Sequence, residues 1–257
     1  VDFCDIDDTG NIDLNNLEVM IKQKPPAAVI IVHNFGTIVD IAPIKGICDF
    51  YGVKIIEDAA PAFVMDEPYT YLPGTHSHAV CYSFDFTKFP GTLGSGGAIA
   101  TRHSELHDIF FELQAHGTNK QKEVVRIGTK SFMDVTSCAV LLKEIELFEQ
   151  NQYRTRRRHI ATWYNNNLPY KSIPGENYIW ERYSMFVPSE QVTEVLDRLH
   201  SVKCLARTMF KQPINTYPFY KTRKHLPKVE KFVNNLVHLP SHHFLSDEEL
   251  ERIKSVL

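Results

Sequence analysis

Two side chains 30 residues apart, Asp58 and Lys88, have the types and positions to do chemistry together. Asp58 follows Val53-Lys-Ile-Ile-Glu57, a short apolar run that reads as a strand emerging at its carboxyl edge. Lys88 closes Tyr82-Ser-Phe-Asp-Phe-Thr-Lys88, just past a second run that begins at Ala79. In open α/β sheets the ligand crevice opens at the carboxyl ends of the strands. A lysine amine placed there can form a Schiff base with a carbonyl, and a carboxylate can pair with a protonated ring nitrogen. The combination suits pyridoxal phosphate, which needs both. Singly, each has an ordinary explanation: Asp58 capping a helix that begins near Ala59, and Lys88 standing on a surface loop. Their order and spacing on successive strands favour the joint reading.

The elements that would position them follow from the apolar pattern. Ala28 to Val32, Lys54 to Ile56, Ala79 to Phe84 and Gly97 to Thr101 read as buried strands. Between the first two, Ile41 to Tyr51 carries apolar residues at helical spacing. Strand, helix, strand at this interval predicts a βαβ unit and a parallel sheet covered on both faces. From Ser131 to about Leu168 the spacing predicts one long helical stretch, with Leu141, Leu142, Ile145 and Phe148 on its apolar face. Pro169 and then Pro174-Gly175 break it and mark a boundary. The remainder, with helical pieces at Val192 to Leu199 and Asp247 to Val256, reads as a smaller α/β domain.

Composition narrows the function classes. The 257 residues carry 28 Lys+Arg against 31 Asp+Glu, a net charge of −3, which argues against a nucleic-acid binder. The longest purely apolar run, Ala27 to Val32, falls far short of the roughly 20 residues that span a bilayer, and no secretory signal opens the chain. Cys4, Cys48, Cys81, Cys138 and Cys204 are far apart and include no C-x-x-C pair, the pattern of reduced thiols in a cytoplasmic protein.

Other motifs have plainer readings. Asp5-Ile-Asp7-Asp8-Thr9-Gly10-Asn11-Ile12-Asp13 imitates a calcium loop, but its twelfth position is Asn16 where a bidentate Glu belongs. The alternative is a strand over Val1 to Ile6, a turn through Asp-Thr-Gly, and a helix capped by Asp13. Gly94-Ser-Gly96-Gly97 is followed by a strand where a phosphate-binding glycine loop needs a helix, so close packing explains the glycines better. Arg154, Arg156, Arg157, Arg158 and His159 read as a solvated or intersubunit helix face. His238, His242 and His243, interrupted by Pro240, do not form a metal site, and no metal is expected.

The chain resembles the DegT/StrS-type sugar aminotransferases, fold-type-I pyridoxal phosphate enzymes. The matching stretches are Val1-Asp-Phe-Cys-Asp-Ile-Asp7, Val32-His-Asn-Phe-Gly36, Val53-Lys-Ile-Ile-Glu-Asp-Ala-Ala60 and Ser83-Phe-Asp-Phe-Thr-Lys88. Leu93-Gly-Ser-Gly-Gly-Ala98, His116-Gly117, Met133-Asp134, Leu239-Pro-Ser241 and Leu245-Ser-Asp-Glu-Glu249 continue the likeness to the end. The resemblance implies that Lys88 carries the Schiff base and shuttles the proton, that Asp58 pairs with the pyridinium nitrogen, and that Ser83 binds the cofactor phosphate. It implies ping-pong transfer of an amino group from an amino acid, usually glutamate, to a keto group of a nucleotide-linked sugar. It further implies a homodimer, with sites built between subunits.

Four positions depart from the family pattern: Pro61 replaces a common Gln, Phe89 a common Asn, Lys130 a loop Asn that reaches the partner's cofactor phosphate, and Phe132 an Arg. Lys130 could still neutralise a phosphate as a point charge. The family's chain also begins earlier, by roughly the first quarter of its usual length. The resemblance therefore implies a mostly parallel three-layer α/β large domain over residues 1–168, incomplete at its N-terminus, with a small α/β domain over 169–257. It leaves one alternative, a truncated or non-catalytic relative that binds or regulates.

Overall fold

The computed structural model describes residues 1–63, 71–150, 153–174, 181–220 and 224–257. In chain order the elements begin with α1 (Leu14–Gln23), β1 (Ala28–Val32), α2 (Ala42–Tyr51), β2 (Lys54–Asp58), β3 (Ala79–Ser83), β4 (Gly97–Ala100), α3 (Ser104–Gln114) and α4 (Val135–Gln150). They continue with α5 (Tyr153–Asn167), β5 (Tyr183–Phe186), α6 (Val192–Ser201), α7 (Pro227–Asn235), β6 (Leu236–Leu239) and α8 (Asp247–Lys254). The chain forms two compact units. One comprises Pro25–His33 and Asp40–Asn151, the other Val1–Lys24, Asn34–Val39 and Gln152–Leu257.

The first unit is an α/β layer whose sheet runs β1-β2-β3-β4, parallel across the first three strands and antiparallel between β3 and β4. Helix α2 makes the crossover from β1 to β2, as its apolar spacing predicts. Pro43 opens it, where a missing N–H costs nothing, and Gly52 closes it in the left-handed conformation at φ 69°. Its Ile44 and Cys48 are buried.

Burial across the sheet is uneven, and one expectation needs correction, that the strand at Gly97 to Thr101 is buried. Along β1 and β2, among the described residues, one face is closed: Val29, Ile31, Ile55 and Glu57 are buried, while Ile30 on the other face is 63% exposed; in β3 the successive residues Ala79 and Val80 are both buried. Every residue of β4 is exposed as well. A continuous apolar run such as Ala28-Val-Ile-Ile-Val32 reads the same for one-sided and two-sided burial, so the sequence pattern could not separate them.

In the second unit β5 and β6 pair antiparallel, Tyr183 opposite Leu239 and Phe186 opposite Leu236. Their core joins Ile160, Ala161 and Tyr164 of α5 to Val195 and Leu199 of α6 and to Leu250 and Ile253 of α8. Full burial of such side chains stabilises by about 1.5–3 kcal/mol each. Because the buried stripe of α5 packs in this cluster, α5 groups with the C-terminal residues, whereas the sequence boundary falls after residue 168. The expected long helix is two, α4 and α5, with residues 151 and 152 outside the described set. It starts at Val135, where the Asp134 carboxylate accepts from the Ser137 N–H at 2.9 Å, and not at Ser131. Pro174 is described but Gly175 is not.

Residues 1–6 do not form a strand; Ile6 makes a single antiparallel bridge to Ile12. In the acidic loop Asp7 and Asp13 turn their carboxylates onto neighbouring groups of the loop and of α1, while Asp5 Oδ1 also accepts from the Val229 N–H of α7 at 3.2 Å. Asp7 Oδ1 accepts from Thr9 N and Oγ1 at 2.8 and 2.6 Å, and Asp13 caps α1 through Asn15 and Asn16. Among the described residues no helix is long and apolar enough to cross a membrane.

Candidate active site

The carboxyl edge of the first unit's sheet gathers three of the four expected residues. Asp58 is the last residue of β2 and stands opposite Cys81 of β3. Ser83 is the last residue of β3, two positions further along, and Lys88 lies on the loop that follows. Parallel pairing of β2 with β3 thus brings a carboxylate and a hydroxyl to one edge.

Asp58 is held by its neighbours rather than left as a helix cap. Its carbonyl oxygen accepts from the His33 N–H at 3.0 Å, and the next residue donates to the Cys81 carbonyl at 2.8 Å. Its Oδ1 accepts from the Ala60 N–H at 3.0 Å, which sets the rotamer. Among the described residues Oδ2 takes no hydrogen bond, leaving it available to a ring N–H. The thiol of Cys81 is pushed up by burial and by the nearby Asp58 charge, so it stays a neutral neighbour.

The loop bearing Lys88 is pinned at several points. The Lys88 N–H donates to the Asp85 carbonyl at 2.7 Å. The Asp85 side chain accepts from Thr87 N at 3.0 Å and from Thr87 Oγ1 at 2.7 Å, and these bonds hold its carboxyl below the usual range. Beyond Lys88, Thr92 returns the chain to β3, its N–H and hydroxyl both donating to the Phe84 carbonyl at 2.9 Å. Gly91 fits only because it lacks a side chain: a Cβ there would lie 2.5 Å from the Lys88 carbonyl oxygen. Gly96 and Gly97 of the glycine run serve close packing, since a Cβ at Gly97 would meet the Tyr82 carbonyl at 2.8 Å and one at Gly96 the Thr92 side chain at 3.0 Å, whereas Gly94 stands in open space. Lys88 itself is half-buried.

Phe89, where the family pattern has a polar residue, has a structural reason. Its ring lies 5.2 Å from that of Phe148 on α4, and Phe148 in turn meets Phe63, which packs edge-on to Phe84 at 5.4 Å. These rings seat the Lys88 loop on α4. Pro61, half-buried, occupies the turn after Ala60. Ser83 Oγ accepts only a long bond, 3.4 Å, from the Asp85 N–H, so its hydroxyl can serve another group. Lys130 is exposed on the segment between α3 and α4, where its backbone bridges Ala115. Among the described residues no hydrogen bond joins its side chain to the other three.

The sequence reading assigned no role to Glu57, His33 or Tyr71. Glu57 and His33 are both fully buried, and His33 Nε2–H donates to Glu57 Oε2 at 2.9 Å. A signal was present: alternation along Val53-Lys-Ile-Ile-Glu57 turns Glu57 inward with Val53 and Ile55, and an inward carboxylate demands partners.

An amine, a carboxylate with one open oxygen and a lightly engaged hydroxyl at one sheet edge fit the aldehyde, ring nitrogen and phosphate of pyridoxal phosphate in kind. Comparison with known proteins assigns the family. The curated UDP-2-acetamido-2-deoxy-3-oxo-D-glucuronate aminotransferase of Pseudomonas aeruginosa is 28% identical over 99% of this chain and 72% of its own length. The dTDP-3-amino-3,6-dideoxy-alpha-D-galactopyranose transaminase of Aneurinibacillus thermoaerophilus is 28% identical over 95% of this chain and 68% of its own. A crystal structure of a DegT DnrJ EryC1 StrS aminotransferase from Brucella abortus superposes with a TM-score of 0.88 at 28% identity, covering 99% of this chain and 71% of that one. The sequence model of the DegT/DnrJ/EryC1/StrS aminotransferase family matches residues 1–257 from end to end. With its strand-end carboxylate, its pinned lysine loop and this full-length match, the chain belongs to the DegT/DnrJ/EryC1/StrS aminotransferase family.

Proposed function

We propose that the chain is a pyridoxal-phosphate-dependent transaminase acting on a nucleotide-linked ketosugar, with an amino acid, glutamate by family resemblance, as donor. One observation carries the reading: Asp58 and Ser83 end adjacent parallel strands, and Lys88 follows on a loop fixed by Asp85, Thr92 and Gly91. Bound there, the cofactor supplies a ring that accepts the electron pair released from the donor's Cα–H bond. Lys88 Nζ holds the cofactor between turnovers and moves the proton at the substrate carbon once displaced. With the cofactor bound, Asp58 Oδ2 would accept from its protonated ring nitrogen, and the Ser83 hydroxyl would donate to its phosphate.

The cited relatives are named as aminotransferases of UDP- and dTDP-linked sugars, which supports the substrate class. A homodimer belongs to the same reading. Val124, Ile127, Val135 and Leu142 are between 70% and 95% exposed along one stretch of chain, an apolar load that a second copy would cover. Lys130 lies within that stretch and is exposed, and in this reading its charge would serve a phosphate in the partner's site. Unpaired cysteines throughout support a reducing, cytoplasmic setting. The test is incubation with nitrogen-labelled glutamate and a panel of nucleotide-linked ketosugars, read by mass spectrometry. Label in an aminosugar nucleotide is the expected result. Label transfer to simple keto acids alone would refute the substrate class.

A further inference from the structure

Glu57 and Asp58 are adjacent on β2, so their side chains leave opposite faces of the sheet. Glu57 enters the closed face beside Ile55 and opposite Ile31, where it is 0% exposed. A carboxylate taken out of water is costly unless its oxygens find donors. Here Oε2 accepts from His33 Nε2–H at 2.9 Å and from the Tyr71 hydroxyl at 2.8 Å, and Oε1 accepts from the Gly74 N–H at 2.6 Å. Burial opposes ionisation, but the hydrogen bonds from His33, foremost, and from the Gly74 N–H outweigh it and hold the carboxyl below its usual range. Burial and the Glu57 charge push the Tyr71 phenol up, so it remains a donor.

The network closes on Asp58. His33 gives its ring to Glu57 and its backbone N–H to the Asp58 carbonyl, 3.0 Å away. The side chain of one residue therefore holds, through the next strand's extension, the backbone of its neighbour. On the other side Ala59 is tied to Cys81. The transamination described above uses none of Glu57, His33 or Tyr71, yet a fully buried charged group is retained one residue from the cofactor's ring-nitrogen partner.

We propose that Glu57 and His33, with Tyr71 as the third member, are positioning residues that fix the carboxyl end of β2 and thereby the direction in which Asp58 presents Oδ2. The inference rests on the cofactor reading above. Its test compares wild type, Glu57→Gln, Tyr71→Phe and Asp58→Asn, each titrated with pyridoxal phosphate while the Lys88-dependent visible absorbance band is followed against pH. Thermal midpoints of the cofactor-free proteins are measured alongside.

Loss of the ring-nitrogen partner in Asp58→Asn moves the pH midpoint of the band. Glu57→Gln is expected to move it in the same direction and to weaken cofactor binding roughly tenfold, the effect of losing about one charge-assisted hydrogen bond. Tyr71→Phe, which spares the bonds to His33 and Gly74, gives a smaller shift of the same sign. Variants that lower only the thermal midpoint, with band midpoint and affinity at wild-type values, overturn the proposal. If Glu57→Gln does not fold, Tyr71→Phe decides alone, and an unshifted band overturns it. A wild-type protein without any band defeats the cofactor reading itself and takes this inference with it. A normal wild-type band with unshifted variants defeats the inference alone.

Discussion

Gly91 controls where Lys88 stands. A Cβ at that position would lie 2.5 Å from the Lys88 carbonyl oxygen and 2.9 Å from that of Asp85. Carbon–oxygen contacts settle near 3.3 Å, so in Gly91→Ala the Lys88 backbone must retreat by about 0.8 Å. Neither obstacle is the end of a flexible side chain; both are main-chain atoms of the loop that presents the amine. Overpacking of this kind costs about 1–3 kcal/mol of stability. A displacement approaching 1 Å at a reacting group lowers rate by about 10²-fold. Gly94→Ala is the matched control, because nothing lies within 4 Å of a Cβ there. The assay is single-turnover amino transfer with cofactor saturating, together with the urea midpoint. The expected outcome is a loss near two orders of magnitude for Gly91→Ala and near wild-type behaviour for Gly94→Ala. Rates within twofold of wild type for Gly91→Ala would refute the claim that this contact fixes the lysine.

Stability should depend on pH through His238, which is 3% exposed and whose Nδ1 lies 2.7 Å from Ser184 Oγ. Burial, with Arg182 and Arg207 adding to it, lowers its pKa from 6.5 to about 3. The unfolded chain therefore takes up the proton first. Stability owed to this group is constant above about pH 6.5 and falls by about 1.4 kcal/mol per unit as pH drops toward 3. His243, lowered to about 4, and His242, also lowered, act in the same direction, so the His238 share is the difference between wild type and His238→Asn in urea midpoints across that range. An unchanged slope in the variant would contradict the assignment. At Gly46, an exposed interior position of α2 with nothing within 4 Å of a Cβ, Gly46→Ala should stabilise by about 0.5–1 kcal/mol. Thermal unfolding checks it, and a lower midpoint would contradict it.

What the sequence made legible is mostly what local patterns determine. The run Ala28-Val-Ile-Ile-Val32, the apolar spacing of α2 and the Asp13 cap each carry their cause within a few residues, whereas the helix expected from Ser131 starts only after the Asp134 cap. The strand-end position of Asp58 follows from the same patterns, since its apolar run stops just before it, while Ser83, implied by the resemblance alone, closes a strand that the pattern carries on to Phe84. The rest depends on partners distant in sequence. The role of Glu57 requires knowing that His33, 24 residues earlier, and Tyr71, 14 later, converge on it. Phe89 reads as a departure until Phe148 is seen against its ring. The exposure of Ile30 in β1 and of all of β4 is not legible, because apolar content records a need for cover, not which residues provide it. The strand expected over residues 1–6 shrinks to one bridge, because Asp7 spends its carboxylate on the turn.

The central claim is that Lys88 is the amine that holds the cofactor. Borohydride reduction of the protein incubated with pyridoxal phosphate, followed by peptide mass spectrometry, tests it most directly. The account predicts a pyridoxyl group on Lys88, absent when Lys88→Ala is treated in the same way. An adduct confined to another lysine, or none at saturating cofactor, would contradict it.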